Sequence, residues 1–220
     1  MLSEDVLTYI ENLIPDRPPY VTKIEEYALM NSVPIMEKPG IEVLLLLLKM
    51  QQPKKIFEIG TAIGYSAIRM ALALPETEIV TIELDEERYN QAKIHVKDMG
   101  LDHQIKLYLG DALLLSEKIK QHGEFDAFFI DATKAKYTKF FELYEPILSE
   151  NGVIYTDNVL FKGTVARDRS LLKTRRQRTL VRKLDEYNKM LFTKEGYETT
   201  MIPVGDGIAV TRRIERVRGV

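Results

Sequence analysis

From Lys55 to Thr156 the chain alternates short apolar runs with helical patterns, and no other feature constrains its fold as strongly. The runs predict strands at 55–60, 78–83, 105–109, 125–130 and 153–156. Helical patterns separate them, at 66–73, 85–99, 113–120 and 134–148. Strands that alternate with helices favour a parallel sheet covered by helices on both faces. We therefore expect an α/β fold.

The segments on either side of this alternation have other patterns. On the N-terminal side, Ser3 can cap a first helix. Helical patterns follow at 21–31 and 41–50, with a loop at 32–40 between them. On the C-terminal side, a long helix is expected from about Leu171 to Lys194.

Two further strands are expected near the end of the chain, at 199–204 and 208–213. Gly205-Asp206-Gly207 joins them, and such a turn between apolar runs indicates a β-hairpin. The hairpin would add antiparallel strands to one edge and bring the sheet to seven strands, most of them parallel. We expect a single domain over residues 1–220, with the helices of about 1–50 as a cap or a dimer element.

Composition and charge exclude several classes of protein. Cysteine is absent, so disulfides and thiolate metal sites are excluded, and a reducing compartment such as the cytoplasm fits. The longest apolar stretch, 43–48, is too short to cross a bilayer, and the N-terminus lacks the basic start and apolar run of a signal peptide. The net charge of −2 gives the whole protein no general attraction for a polyanion.

Polar residues stand at the tips of two of the predicted strands. Asp131 follows the run 125–130, and Asp157 and Asn158 follow the run 153–156. Because ligands bind at the carboxyl ends of the strands in open α/β sheets, we expect the three side chains to converge on one cleft. Their oxygen atoms suit a hard cation such as Mg2+, which keeps open positions for substrate and water.

Lys134 lies three positions after Asp131, at the start of the next predicted helix. A lysine near a bound cation has its ammonium form disfavoured and can serve as a base near neutral pH. The alternative is an ordinary surface lysine, of which Lys136 and Lys139 are nearby examples. Only the spacing distinguishes Lys134 from them.

A glycine-containing turn, Gly60-Thr-Ala-Ile-Gly64, follows the first strand and opens a helix. Glycine there permits close backbone approach to a ligand, and the helix N-terminus favours a carboxylate or a phosphate. The spacing is not GxGxxG, which points away from a dinucleotide. Glu83, at the end of the second strand, can accept both hydroxyls of a ribose, although a solvated acid explains it equally well.

Together these motifs resemble the cation-dependent O-methyltransferase family that includes catechol and caffeoyl-CoA O-methyltransferases. The resemblance covers roughly Val33 to Arg213. It is carried by FEIGTAIGYSA (57–67), IELD (82–85), GDA (110–112), FIDATKAKY (129–137), YTDNVL (155–160) and GDGIAV (205–210). It implies a Rossmann-like class I methyltransferase fold and S-adenosylmethionine (SAM) as methyl donor.

The resemblance also implies roles for individual residues. The residues expected to hold SAM are Val33 and Ile35 through their backbone, Glu58, Gly60, Ala62 and Ser66 at the methionine end, Glu83 at the ribose, Ala112 at the adenine, and Asp131. Asp131, Asp157 and Asn158 would bind Mg2+, and Lys134 would be the general base.

Other chemistries have weaker support in the sequence. A non-catalytic nucleotide-binding module would not need the three polar residues at the strand tips, and the missing GxGxxG disfavours a Rossmann dehydrogenase. His95, His103 and His122 lack metal-ligand spacing and are interpreted as surface residues. No Ser-His-Asp arrangement is evident.

A basic stretch from Lys162 to Lys183, with nine lysines and arginines against one acid, begins four residues after Asn158. Within the family the chain most resembles small bacterial members that methylate 5-hydroxyuridine at the wobble position of tRNA. The two vicinal oxygens of 5-hydroxyuridine could chelate Mg2+ as those of a catechol do. Contacts to a tRNA anticodon loop are expected from Lys162, Arg167, Arg169, Lys173, Arg175, Arg176 and Arg178. The alternatives are a solvated helix face with Asp185 and Glu186 as partners and, for the substrate, a small catechol-like phenol.

The N-terminal helices carry surplus apolar residues, namely Leu2, Val6, Tyr9 and Leu13. Members of the family of this size are usually homodimers. We therefore expect a homodimer.

Overall fold

The computed structural model describes residues 3–168 and 172–214. Within them the helices are α1 (Glu4–Leu13), α2 (Pro19–Met30), α3 (Lys38–Gln51), α4 (Tyr65–Ala73), α5 (Glu86–Asp98), α6 (Ser116–Lys120), α7 (Tyr137–Tyr144) and α8 (Arg175–Thr193). The strands are β1 (Lys55–Ile59), β2 (Glu78–Glu83), β3 (Ile105–Leu109), β4 (Phe125–Ile130), β5 (Leu148–Thr156), β6 (Tyr197–Ile202) and β7 (Ile208–Arg213). In this part of the chain no helix has both the length and the apolar character needed to cross a bilayer.

The strands form one sheet in the order β3-β2-β1-β4-β5-β7-β6. The pairs β1–β2, β1–β4, β2–β3 and β4–β5 are parallel, whereas β7 runs antiparallel to both β5 and β6. The predicted α/β class and the mostly parallel seven-stranded sheet with its C-terminal hairpin are therefore confirmed. The strand order reverses between β1 and β4, and in open α/β sheets ligands bind at the carboxyl ends of the strands beside such a point.

Alternate residues of the central strands pack into two cores, one on each face of the sheet. Ile56 and Phe129 belong to the core formed with α2, α3 and α4. Phe57 and Phe128 belong to the core formed with α7 and α8. Because successive side chains of a strand point to opposite faces, Glu58 lies on the same face as Ile56, beneath α4.

The long helix predicted between β4 and β5 is divided in the structure. Lys134–Lys136 forms a 3₁₀ turn, α7 ends at Tyr144, and Glu145–Ile147 forms a second 3₁₀ turn. Pro146 lies in this second turn, where it has no N–H to continue the α-helical hydrogen bonds. Leu148, predicted as the end of the helix, is instead the first residue of β5.

α8 begins at Arg175, later than the predicted start near Leu171, which lies outside the described residues. The Thr174 side chain accepts a hydrogen bond from the N–H of Gln177, and the Gln177 side chain accepts one from the N–H of Thr174. This reciprocal pair is a capping box, which sets the start of a helix.

Candidate active site

A cavity of about 730 Å³ opens at the carboxyl ends of the central strands. We call it the main cavity. Of the residues expected to hold SAM, those that line it are Ile35, Gly60, Ala62, Glu83, Ala112 and Asp131. Asp157, Asn158 and Lys134 also line it. The structure therefore brings most of the predicted site residues to one place.

Gly60 is required by the packing of two strand ends against each other. Its φ is +107°, and a Cβ at this position would lie 2.0 Å from the carbonyl oxygen of Asp131. The close approach that the glycine permits is therefore first of all to the protein backbone, at the end of β4. Gly64, with φ of +86°, then turns the chain into α4.

Glu58 and Ser66 lie beneath the glycine turn and outside the lining of the main cavity. The Ser66 hydroxyl donates to one oxygen of Glu58, and the Thr81 hydroxyl donates to the other. Burial raises the pKa of Glu58 to about 7, although these two hydrogen bonds oppose the rise. In this arrangement Glu58 supports the turn from below, and its expected contact with the cofactor stays a prediction.

Glu83 joins the glycine turn to the turn after β2. One of its oxygens accepts from the N–H of Ala62 at 2.6 Å, and the other accepts from the N–H groups of Leu84 and Asp85 at 2.9 Å each. A carboxylate has about four lone-pair positions, and three of them are taken, so Glu83 retains capacity for about one further donor, such as a ribose hydroxyl. It faces the main cavity and is mostly buried.

The wall of the main cavity around Ala112, the residue expected beside the adenine, is held by contacts from the segment after β4 and from α7. Ala112 lines the main cavity, and its carbonyl accepts from the Tyr144 hydroxyl. The neighbouring Asp111 forms an ion pair with Lys136 at 2.9 Å. Lys136 is thus more than an ordinary surface lysine, because it closes this side of the cavity.

The segment between α2 and α3 contributes the opposite wall through Pro34, Ile35, Met36 and Glu37. Val33, also expected at the cofactor, is not part of the lining. Its N–H donates to the Ala28 carbonyl at 2.9 Å, and its side chain packs against the core below.

Asp131, Asp157 and Asn158 converge as predicted from the parallel strand tips. The side-chain amide of Asn158 donates to Asp131 at 3.1 Å and to Asp157 at 2.7 Å. Among the residues that the structure describes, no three acidic, histidine or cysteine side chains form a possible metal cluster. The candidate cation site would therefore take its third oxygen ligand from Asn158, whose Oδ1 would have to replace the N–H group that faces the two acids.

The electrostatics of the two acids fit a cationic occupant. Burial raises the pKa of Asp131, with Lys134 opposing the rise and Asp206 adding to it. Burial also raises the pKa of Asp157, and the Asp131 carboxylate raises it further. A cation between the two would favour their ionised forms.

Lys134 lies between the main cavity and a second cavity of about 640 Å³. The second cavity is lined by Ala132, Thr133, Lys134, Ala135, Phe161, Arg175, Arg176, Thr179 and Leu180. The Nζ atom of Lys134 is 5.7 Å from the centroid of the Phe161 ring. Lys134 thus faces both the predicted cation site and a partly apolar space that could hold an acceptor.

The basic stretch is divided among several places. Lys162 lines the main cavity, and Arg175 and Arg176 line the second cavity. The exposed residues Arg167, Lys173 and Arg178 lie outside both linings. Arg169 lies outside the described residues.

The alternative interpretation of the basic stretch, as a solvated helix face, fits the later part of α8. There Arg182 pairs with Glu186 at 2.6 Å, and Lys189 pairs with Asp185 at 2.9 Å. The earlier part of the helix, with Arg175 and Arg176, faces the second cavity instead.

Two contributions were missed by the sequence reading. The Gly205-Asp206-Gly207 turn is a hairpin turn as predicted, but Gly205 and Asp206 also line the main cavity. The turn belongs to one of the motifs that carry the family resemblance, and this could have indicated a place at the site. His95 is partly buried, and its Nδ1 lies 2.8 Å from the carbonyl of Ile63 in the glycine turn. The interpretation of His95 as a surface residue was therefore wrong.

Comparison with known proteins gives consistent matches over nearly the whole chain. A model of the O-methyltransferase family matches residues 13–214. A caffeoyl-CoA O-methyltransferase of Medicago sativa is 37% identical over 182 residues, which cover 79% of this chain and 72% of the relative. A flavonoid 3',5'-methyltransferase of Vitis vinifera is 33% identical, over 88% of this chain and 83% of the relative.

A solved structure has the same fold. It is that of a Staphylococcus aureus protein provisionally assigned as a caffeoyl-CoA O-methyltransferase, with a TM-score of 0.89 and 33% identity. The alignment covers 94% of this chain and 98% of that one.

Proposed function

The chain belongs to the O-methyltransferase family that includes the plant caffeoyl-CoA enzymes, and from that premise we propose that it transfers a methyl group from SAM to a hydroxyl with a second oxygen beside it, in a Mg2+-dependent reaction. The observation that carries the proposal is the convergence of two carboxylates, an amide and a lysine at one end of the main cavity. The other end, with Glu83 and Ala112, has the polar and apolar groups that a nucleoside needs. The cavity volume of about 730 Å³ is in the range of cofactor sites.

The residues present fit both groups. Mg2+ would be held by Asp131, Asp157 and Asn158, because hard cations take oxygen ligands of this kind. SAM would lie along the lining from Glu83 to Asp131. When bound, SAM would supply an electrophilic methyl group, and Mg2+ would lower the pKa of the acceptor hydroxyl.

In this proposal Lys134 is the general base. Its Nζ would accept the proton that the acceptor hydroxyl loses, and its position between the two cavities places it beside both the cation set and the acceptor space. General-base catalysis contributes roughly 10²–10⁴-fold. Much of the remaining rate would come from holding donor and acceptor at reacting distance.

The test of the reaction uses single-turnover methylation with SAM. Lys134→Ala should lower the rate at least ~100-fold, whereas Lys139→Ala, an exposed lysine five residues further on, should leave it unchanged. Excess EDTA should abolish turnover and Mg2+ should restore it. Full activity in EDTA would refute the metal role, and failure of SAM to bind in calorimetry would refute the proposed function as a whole.

For the acceptor, we propose 5-hydroxyuridine at the wobble position of a tRNA anticodon loop. Its support is the position of Arg175 and Arg176 beside Lys134, with Lys162 at the main cavity. Lysine and arginine contacts to phosphates dominate affinity for nucleic acids, and a single-stranded loop can present a splayed base. The vicinal 5-hydroxyl and 4-carbonyl oxygens suit the same cation site as a catechol.

The second candidate acceptor is a small catechol-like phenol. It is favoured by the relatives at 33–37% identity, which are caffeoyl-CoA and flavonoid methyltransferases by name. The same cation site and the same base would serve it. It would not need cationic side chains for RNA phosphates.

The two acceptors are separated by changing Arg175, Arg176 and Arg178 to Ala together. Methylation of an anticodon stem-loop carrying 5-hydroxyuridine should weaken, and its salt dependence should become shallower by about 0.7 per lost phosphate contact on a log–log scale. Methylation of catechol should be spared. Arg182→Ala with Lys183→Ala, on the same helix, is the matched control, and equal loss on both substrates in the first variant would contradict the RNA contact.

Mass spectrometry of tRNA nucleosides from cells that lack the gene tests the assignment directly. We expect loss of 5-methoxyuridine and accumulation of 5-hydroxyuridine. Unchanged 5-methoxyuridine, in cells without a redundant enzyme, would leave the phenol as the acceptor.

We also propose that the chain forms a homodimer through its N-terminal helices. The apolar side chains of Val6, Tyr9 and Leu13 are 42%, 66% and 65% exposed, which favours a partner on this surface. Leu2, the fourth predicted contact, lies outside the described residues. Light scattering that gives the mass of one chain at micromolar concentration would reject the dimer.

A further inference from the structure

The segment that follows the candidate cation site has an unusual backbone. Asn158, Phe161 and Lys162 have φ values of +63°, +46° and +52°, and Gly163 follows with +69°. Residues other than glycine rarely adopt this left-handed backbone conformation. Such a segment persists only where surrounding contacts determine it. We call residues 158–163 the acceptor turn.

The contacts that determine the acceptor turn come largely from the β6–β7 turn. The N–H of Val159 donates to the Gly207 carbonyl at 3.0 Å, and the N–H of Leu160 donates to the Asp206 carbonyl at 2.9 Å. The N–H of Lys162 donates to the carboxylate of Asp206 at 3.2 Å. Asp206 thus holds the turn twice, once through its backbone and once through its side chain.

The α8 side of the acceptor turn is held as well. The side-chain amide of Asn188 donates to the Val159 carbonyl at 2.8 Å. A Cβ on Gly207 would lie 2.4 Å from Cγ of Leu160, so the two turns are in close contact. At the Lys162 N–H, further along the chain, the support comes from a side chain of the β6–β7 turn, that of Asp206.

The acceptor turn carries residues of both cavities. Lys162 lines the main cavity, and Phe161 lines the second one with its ring facing the Nζ of Lys134. The Lys162 N–H belongs to the peptide that joins Phe161 to Lys162, so its hydrogen bond to Asp206 fixes the link between these two residues. The side chain of Asp206 is therefore placed to control the acceptor side of the site.

We propose that Asp206 is a positioning residue, whose carboxylate accepts the Lys162 N–H and so holds Phe161 and Lys162 at the acceptor space beside Lys134. The inference rests on the proposed function, since it takes the acceptor to bind beside Lys134. In this proposal Asp206 acts through its hydrogen bond to the Lys162 N–H. The competing role is a purely electrostatic one, because the Asp206 carboxylate also faces Asp131 and Asp157.

Two substitutions separate the hydrogen bond from the charge. Asp206→Asn keeps a side-chain oxygen for the Lys162 N–H and removes the charge, whereas Asp206→Ala removes both. With the 5-hydroxyuridine stem-loop and catechol as probes, Asp206→Ala should raise the acceptor KM at least about fivefold, the size expected for one net hydrogen bond. The KM for SAM should stay within about twofold of wild type in both variants, and Asp206→Asn should recover most of the acceptor KM. An equal rise of the acceptor KM in both variants would overturn the inference in favour of the charge. A wild-type acceptor KM in Asp206→Ala would overturn it outright.

Amide hydrogen exchange measured by NMR keeps the inference testable without turnover. Exchange at Lys162 should be about fivefold faster in Asp206→Ala and near wild type in Asp206→Asn. Leu160, whose N–H bonds to the Asp206 backbone, is the control amide and should not change. If wild type methylated neither probe, the proposed function would fail while this measurement still decided the hydrogen bond. If Asp206→Ala did not fold, Asp206→Ser should give an intermediate exchange rate at Lys162, because a hydroxyl serves the same turn more weakly, and an unchanged rate would refute the role.

Discussion

Glu58 should make the stability of the unliganded protein fall as the pH rises. Its carboxyl is fully buried, and burial raises its pKa from 4.5 to about 7. Below pH 4.5 the group is protonated in both the folded and the unfolded chain. Between 4.5 and 7 the folded chain binds more protons, so unfolding becomes easier with each step in pH. Above 7 the full penalty of the buried charge is present.

The magnitude follows from the size of this shift. A shift from 4.5 to about 7 corresponds to roughly 3 kcal/mol, at 1.36 kcal/mol for each pKa unit. About 2.5 kcal/mol of it should appear between pH 5 and pH 8.5. Glu58→Gln removes the titration while keeping an oxygen for the Ser66 hydroxyl. Its amide N–H can donate to Thr81, whose hydroxyl can then donate to Thr61, since either hydroxyl of that pair can be the donor.

The assay is urea unfolding of both proteins without SAM, from pH 5 to pH 8.5. The free energy of unfolding of Glu58→Gln should gain about 2.5 kcal/mol on wild type across this range, while titrations common to both proteins cancel. Glu117→Gln is the control, because its side chain is 83% exposed and the substitution removes no buried charge, so its profile should run parallel to that of wild type. Parallel pH profiles for wild type and Glu58→Gln would refute the reasoning.

Two further substitutions and one removal test the site. Gly60→Ala should cost at least ~2 kcal/mol of unfolding free energy, because its Cβ would lie 2.0 Å from the Asp131 carbonyl oxygen. Gly123→Ala, with no atom within 4 Å of its Cβ, should cost only ~1 kcal/mol for its positive φ. Equal costs in urea unfolding would contradict the packing argument. Lys136→Met should weaken SAM binding in calorimetry a fewfold by breaking the ion pair with Asp111 at 2.9 Å, with the loss reduced at high salt; an unchanged affinity would show that this wall does not touch the cofactor. Removal of divalent cations should leave SAM binding within about tenfold while methylation stops, and methylation that continued would exclude a metal requirement.

Local patterns in the sequence were sufficient for the elements and for much of the site. Short, nearly continuous apolar runs separated by helical patterns predicted the parallel sheet, because parallel strands are buried on both faces by the helices that connect them. Once the strands were parallel, Asp131 and Asp157 had to come to the same edge, and the structure places them there with Asn158 between them. The predicted element boundaries failed mainly where a single side chain decides them, as Thr174 does at the start of α8.

The three-dimensional packing decided which side chains reach the cavity and which support it. Glu58 adjoins the glycine turn in sequence, yet the parity of its strand directs it under α4, to Ser66 and Thr81. Lys162 and Asp206 are 44 positions apart and meet because β7 pairs with β5. No local periodicity encodes such a meeting, since strand order and register come from long-range pairing and from the packing of helices on both faces. The sequence by itself determined the strands and the polar residues at their tips, and the pairing of distant strands determined that the β6–β7 turn meets residues 158–163.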